Sequence, residues 1–408
     1  MSQTIQETIG QLHSCLRDYI EATYHISSPT LIEQRRMLLE RPGIIYQIPY
    51  VESTPRYQPG EHLAEMADLP NAALQAYLAL STSQGELPRR VYDPPYKHQS
   101  DSIRHSLIKA KNLLVMTGTG SGKTESFLLP ILGRLACEAE SNPAAFRDQL
   151  AMRALVLYPM NALVNDQLGR LRSLFGDPRI VGLFKNWAGR PPRFARYTSR
   201  TPYAGLRTRE KDSRKLRAFD EFYVEIQRRA RLDDAEEQAA PQRLLQQLKA
   251  RGKWPAKPDL VAWFGDKGSP WQDRRTGEFR RAVMLADDTE LVTRHEVQSF
   301  PPDLLVTNYS MLEYMLMRPI ERPIFDASRQ WLENNPDQKF LIVLDGAHLY
   351  RGAAGAEVGL LLRRLRDRLQ IPSERFRLSA QPRASPTTDT RLISERNSQA
   401  CHRKLLFR

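Results

Sequence analysis

The stretch NLLVMTGTGSGK, residues 112 to 123, limits the fold more than any other part of the chain. NLLVM reads as a buried strand, and TESFLLPILGRLA beyond it reads as a helix. The turn between them carries Gly118, Gly120 and Gly122, with Thr117 opening it and Thr119 and Ser121 between the glycines. Such glycines let backbone N–H groups turn inward on a phosphate, and the helix N-terminus adds partial positive charge. Lys123 would reach the outer phosphates, and Thr124 would give its hydroxyl to a magnesium ion. A glycine-rich turn without these flanks could bind nothing. Here strand and helix are both in place, and the GKT ending argues against a dinucleotide site.

The same rhythm recurs. ALVLYP (154–159), DLLVTN (303–308) and FLIVLD (340–345) are further strands, the first followed by the helix NALVNDQLGRLRSLF. Strands separated by helices predict a parallel α/β sheet that binds ligands at the carboxyl ends of its strands. Residues 1–90 read as a helical accessory region, with Ile5, Ile9, Leu12 and Leu16 at helical spacing. Residues 91–378 read as the α/β domain. A long interruption at about 181–300 holds four of the five tryptophans. From Lys185 to Arg281 it carries 24 Lys/Arg against 13 Asp/Glu, so it supplies most of the net charge of +13. Residues 379–408 turn polar and lose periodicity, which predicts a disordered tail.

That charge points to a polyanionic partner. Cys15, Cys137 and Cys401 lie too far apart for a zinc site or a disulfide framework, which fits a reducing compartment and a cytoplasmic protein. The start MSQTIQETIGQLHSC lacks the pattern of a signal peptide. No apolar run is long enough to span a bilayer, so the expected polyanion is nucleic acid and not a membrane.

Other segments offer companions to the phosphate cradle. YDPPYKHQ ends in Gln99, whose amide could read adenine while Tyr92 or Tyr96 packs on the ring. A solvated glutamine is the plainer alternative. YPMNALVNDQ sets Pro159, Asn161 and Gln167 on a strand-to-helix turn, and TNYSMLEYML sets Thr307, Asn308 and Ser310 on another. Ser310 with Glu313 is the expected capping box there. Turns of this kind suit a phosphodiester backbone, although each alone could be an ordinary helix cap.

Taken in order, His98–Gln99, TGTGSGKTE, YPMNALVNDQ, TNYSMLEYML and LDGAH resemble the first motor domain of superfamily 2 DExH helicases. The wording is most similar to large bacterial DNA helicases of the mitomycin-repair type and of anti-phage systems such as DISARM and Druantia. HLYRGAAGAEVGLLLRRLRDRL is similar to the segment that follows motif II in that group. The resemblance implies a RecA-like P-loop fold and an ATP-dependent helicase or translocase with ATP and Mg2+ as cofactors. It implies that Gln99 contacts adenine and that the loop from Thr117 to Thr124 holds the phosphates. Asp345 would bind magnesium through water, and His348 would relay nucleotide state. Pro159, Asn161, Gln167, Thr307, Asn308 and Ser310 would grip nucleic acid, DNA more readily than RNA.

The sequence departs from that family in two ways. Gly346 stands where the family has the glutamate that polarises the attacking water, and losing a positioned base costs roughly 10²- to 10⁴-fold in rate. Glu125 and Glu357 are the nearest substitutes along the chain. Only 63 residues follow Asp345, so a second RecA-like domain with its arginine fingers is expected to be missing or to reside on a separate chain. After Arg375–Arg377 the segment LSAQP matches the family's Ser-Ala-Thr motif only at Ser379 and Ala380. The expectation is a truncated, hydrolysis-impaired motor domain. The alternative is a non-catalytic nucleic-acid-binding or regulatory protein that keeps the fold as scaffold. The basic interruption likewise has two readings: a DNA surface with stacking tryptophans, or an insert with a small core of its own.

Overall fold

Buried strands of β-branched and leucine residues, each followed by an amphipathic helix, dictate the layered arrangement seen in the computed structural model. It describes residues 4–47, 57–118, 120–203, 207, 209–265, 270–273, 275–350, 352–381 and 391–392. Its contacts divide the chain into Met1–Arg56 and Tyr57–Arg408.

In the first unit the helix Ile5–Thr23 starts at a capping box formed by Thr4 and Glu7. The helix Pro29–Leu39 follows, and His13 Nε2 lies 3.0 Å from the Leu39 carbonyl. The helical reading of Ile5, Leu12 and Leu16 holds, but all three side chains are exposed.

The second unit is built on eight strands: β1 Leu113–Met116, β2 Ala154–Tyr158, β3 Phe194–Arg196, β4 Glu290–Leu291, β5 Leu304–Asn308, β6 Phe340–Asp345, β7 Phe376–Gln381 and β8 Arg391–Leu392. Their order is β4-β3-β5-β2-β6-β7-β1-β8. β1 to β7 run parallel, and β8 pairs antiparallel with β1. Alternate residues of β2 feed opposite cores. Ala154, Val156 and Tyr158 face one core, which includes the helices Asn71–Ser81 and Glu125–Ser141. Leu155 and Leu157 face the other, which includes Tyr309–Met317, Arg322–Asn334 and Gly352–Leu369. This is the helix-flanked parallel sheet of a RecA-like fold.

Three boundaries differ from the sequence reading. The helix Asn71–Ser81, assigned above to an accessory region, is integral to the α/β unit. Tyr77 donates its hydroxyl to the Leu129 carbonyl at 2.7 Å and lies against Gly133, where a Cβ would strike it. Burial of alanines and Tyr77 in a helix of weak amphipathicity leaves no apolar stripe to read. Second, the ends of the basic interruption return to the sheet as β3 and β4, too short to stand out by periodicity. Third, the expected tail boundary at 378 falls inside β7, which continues to Gln381 between β6 and β1. Ser379 and Gln381 are polar yet buried. The remainder of the expected tail, residues 382–390 and 393–408, lies outside the described residues.

The interruption has a core of its own. Trp254 and Trp263 are buried with Tyr203, Leu216, Val224 and Leu260. Inside it Lys257 Nζ lies 2.6 Å from Asp288 and 2.8 Å from Glu296, and Trp263 Nε1 donates to Glu296 at 2.7 Å. These two indoles are unavailable for base stacking. Among the described residues no helix is long and apolar enough to cross a membrane.

Candidate nucleotide and nucleic-acid site

The phosphate loop is pinned from within. Thr117 and Ser121 are fully buried, and their hydroxyls meet at 2.6 Å. Ser121 Oγ also donates to the Gly118 carbonyl at 3.0 Å. Gly120 and Gly122 have φ of +77° and +70°, the left-handed region that L side chains avoid. A Cβ at Gly118 would strike the Tyr57 hydroxyl, and one at Gly122 would strike the Gln99 amide. Thr119 lies outside the described residues. Thr124 makes no side-chain cap bond to its helix, which leaves its hydroxyl uncommitted to capping. A loop of this shape, with no room for a Cβ at Gly118 or Gly122, fits a backbone cradle for phosphate.

His98 and Gln99 brace the loop from the helix Lys97–Leu107. The His98 Nε2 and the Ser121 carbonyl lie 3.0 Å apart, and burial holds this imidazole below its ordinary range. Gln99 Oε1 accepts from the Tyr96 N–H at 2.9 Å, and its Nε2 donates to the Gly122 carbonyl at 3.0 Å. Both ends of the amide are therefore engaged with the protein in this structure. Tyr96 stacks on His98 with ring centroids 5.8 Å apart, and Tyr57 lies 5.6 Å from Tyr96. Tyr92 is exposed, with the Arg89 guanidinium over its ring.

Asp345 ends β6, two strands from the loop. Burial pushes its carboxyl up from the ordinary range, against the opposing influence of the Gly346 N–H, Lys123, His348 and Arg170. The Gly346 N–H donates to Asp345 Oδ1 at 2.8 Å. Folding thus brings Lys123, Asp345 and His348 into one electrostatic neighbourhood. Gly346 adopts φ +64°, and a Cβ there would sit 3.3 Å from Pro159 Cγ. The turn is shaped around glycine, and is not merely short of a carboxylate.

The turns after β2 and β5 are adjacent because their strands pair throughout. Asn308 Nδ2 donates to Asn161 Oδ1 at 2.6 Å, and Asn161 Nδ2 lies 3.3 Å from Ser199 Oγ. The expected Ser310–Glu313 capping box is replaced by Asn308, whose Oδ1 accepts from the Met311 N–H at 2.7 Å. Glu313 instead lies near Arg364. Thr307 is fully buried with its hydroxyl given to the Tyr197 carbonyl, so it shapes the turn from beneath. Gln167 is buried too, with its amide nitrogen toward Asp166. Pro159, Asn161 and Ser310 retain partial exposure.

Sequence reasoning missed two residues here. Arg170, from the helix Asn161–Leu174, pairs with Glu125 at 2.8 Å. Gln381 donates Nε2 to the Lys123 carbonyl at 2.8 Å. The partial match at LSAQP was the one available signal for Gln381.

Parallel strands, a pinned phosphate loop at the end of β1 and an aspartate at the end of β6 define a RecA-like, P-loop α/β protein. The family model of the DEAD/DEAH box helicases matches residues 96–194. The chain is also 45% identical over 386 residues to the Druantia protein DruE of Escherichia coli (strain UMEA 4076-1), covering 91% of this chain and 20% of that protein. Residues 96–194 are thus similar to part of a DEAD/DEAH box helicase domain, in a chain similar over most of its length to a stretch of that Druantia protein. The chain spans about a fifth of the length of that relative. Among solved structures, the DUF1998 helicase MrfA bound to DNA and AMPPNP is 15% identical, covers 88% of this chain and 31% of its own, and has a TM-score of 0.40. The Mycobacterium smegmatis helicase Lhr bound to ssDNA and AMP-PNP is 16% identical, covers 79% and 25%, and scores 0.38.

Proposed function

We propose that this chain is the Mg-ATP-binding and DNA-gripping motor domain of an anti-phage helicase, with weak intrinsic hydrolysis. The observation that carries this reading is the pinned, glycine-built loop at the end of β1 with Asp345 at the end of β6, two strands away in the same parallel sheet. The loop from Thr117 to Thr124 would hold the phosphates, with Lys123 neutralising their charge. Thr124 and Asp345 would hold the magnesium, which supplies charge neutralisation on the phosphates when bound. Tyr96, beside Gln99, would face the base.

The contiguous turns bearing Pro159, Asn161, Asn308 and Ser310 would take the backbone of one DNA strand, while Thr307 and Gln167 support them from below. A neighbouring RecA-like domain, on this or another chain, would supply the remaining catalytic charge. Low turnover follows from Gly346, which offers no group to orient water; that defect is worth roughly 10²- to 10⁴-fold. The left-handed turn at Gly346 also favours a second reading, in which nucleotide is bound as a regulatory ligand and not turned over.

Equilibrium binding of a fluorescent ATP analogue tests the proposal. The chain should bind it in the presence of magnesium, and Lys123→Ala should abolish binding. Rapid DNA-stimulated hydrolysis by the chain itself would overturn the claim of weak turnover. DNA affinity indifferent to both nucleotide and Lys123 would favour the scaffold alternative.

A further inference from the structure

Gln381 ends β7, the strand that separates the phosphate loop from Asp345. Its Cα lies opposite that of Asp345 in the parallel ladder, so the two side chains share a face of the sheet. Its Nε2 donates to the Lys123 carbonyl at 2.8 Å, and the same carbonyl accepts the Ser126 N–H at 3.0 Å. Gln381 therefore ties the first turn of the cradle helix to the middle of the sheet. It is 2% exposed, and its Oε1 has no hydrogen-bond partner. Glu125 repeats the pattern at the loop: one oxygen holds Arg170, while Oε2 is buried without a partner.

Both orphaned atoms are acceptors. Buried acceptors are nearly always paired, so Gln381 Oε1, whose own amide nitrogen is tied to the phosphate loop, calls for a group that donates. Ionised phosphate oxygens only accept, whereas the waters on a divalent cation donate. Magnesium dehydrates reluctantly and keeps several waters, which outer groups then orient. A glycine at 346 offers no side chain for that purpose.

We propose that Gln381 is a positioning residue whose Oε1 accepts a hydrogen bond from a water of the nucleotide-bound magnesium ion, while its Nε2 holds the Lys123 loop. This rests on the reading that the site binds Mg-nucleotide. A neutral amide suits the position, because it orients water without adding a second negative charge beside Asp345. The Oε1 role differs from the Nε2 brace in one respect: it adds affinity only when the metal is present.

The test measures the affinity of the full chain for a fluorescent ADP analogue, with magnesium and with excess EDTA. The quantity read is the ratio of the two affinities. Gln381→Leu keeps the shape but loses both bonds. It should lower metal-free affinity through the lost Nε2 bond to Lys123. Affinity with magnesium should fall roughly three- to ten-fold further, the worth of one more hydrogen bond, so that the ratio falls by that factor. Gln381→Glu restores an acceptor and should keep the ratio at or above the wild-type value, while its charge lowers metal-free affinity. This second variant decides the matter if the first fails to fold. Equal losses with and without magnesium in Gln381→Leu, or a reduced ratio in Gln381→Glu, would overturn the proposal. If the wild type binds no nucleotide, or Lys123→Ala binds as well as wild type, the nucleotide-site reading itself falls instead.

Discussion

Arg170 Nη1 lies 2.8 Å from Glu125 Oε1, joining the first turn of the cradle helix to the helix that begins at Asn161. One end of this link adjoins the glycine-rich loop, and the other lies on the helix that starts at Asn161, on the turn proposed to take DNA. Arg170 is about half exposed, so the pair stabilises the fold by no more than about 1 kcal/mol. Its larger consequence is coupling. In Arg170→Ala the melting temperature should barely move, yet the effect of Mg-nucleotide on DNA affinity should shrink. Fluorescence anisotropy of a labelled single strand, with and without nucleotide, reads this directly; an undiminished difference would reject the link.

Gly346 sits at φ +64°, where a residue with a Cβ costs about 1–2 kcal/mol. Gly346→Ala should therefore lose about that much stability in a denaturant titration. Gly346→Glu should lose at least as much, because its Cβ also approaches Pro159. It should also fail to restore rapid hydrolysis, since the carboxylate would start from a strained turn. A Gly346→Glu variant as stable as wild type and much faster in hydrolysis would contradict this account.

Burial depresses the pKa of His98, with the Ser121 carbonyl opposing that shift. A depressed base binds fewer protons folded than unfolded, so stability is present above the ordinary value of 6.5 and declines as pH falls through the lowered one. Denaturation curves from pH 7.5 to 5 should show that decline in wild type and a flatter profile in His98→Asn. Parallel profiles for the two proteins would remove His98 from the acid response.

Asp303 anchors the start of β5 in a buried network: Arg153 and Arg190 each donate to it at 2.8–2.9 Å, and so does the Arg193 N–H at 2.8 Å. Arg153 continues to Glu138 on the cradle helix at 2.8 Å. Removing the carboxylate leaves two guanidiniums buried beside an empty position. Asp303→Ala should cost about 3–5 kcal/mol, measured by urea denaturation. A loss under about 1 kcal/mol would mean that water replaces the carboxylate freely.

Much of the sheet was legible because β1, β2, β5 and β6 are continuous apolar runs, the signature of strands buried on both faces. β7 was not: Arg377, Ser379 and Gln381 interrupt the apolar pattern, and the burial of Ser379 and Gln381 depends on the strand's place between β6 and the sequence-distant β1. The pair Asn161 and Asn308 illustrates the same limit. Each was legible as a turn residue, but their 2.6 Å contact exists only because β2 and β5 pair. The indoles of Trp254 and Trp263 were equally suggestive of a core or a stacking surface until their burial was seen, since composition reports a side chain's chemistry and not its exposure.

The sequence by itself determined the cradle, its lysine, the strand-end aspartate and the glycine beside it. These are local properties, set by backbone freedom and by hydrophobic period over a dozen residues. Only the tertiary structure decided which groups face one another: Gln381 against the Lys123 carbonyl, Arg170 against Glu125, and Asn308 against Asn161. Strand order inserts β7 between the loop and the aspartate. That order follows from the joint burial of two sheet faces, a property of the whole chain that no short window contains.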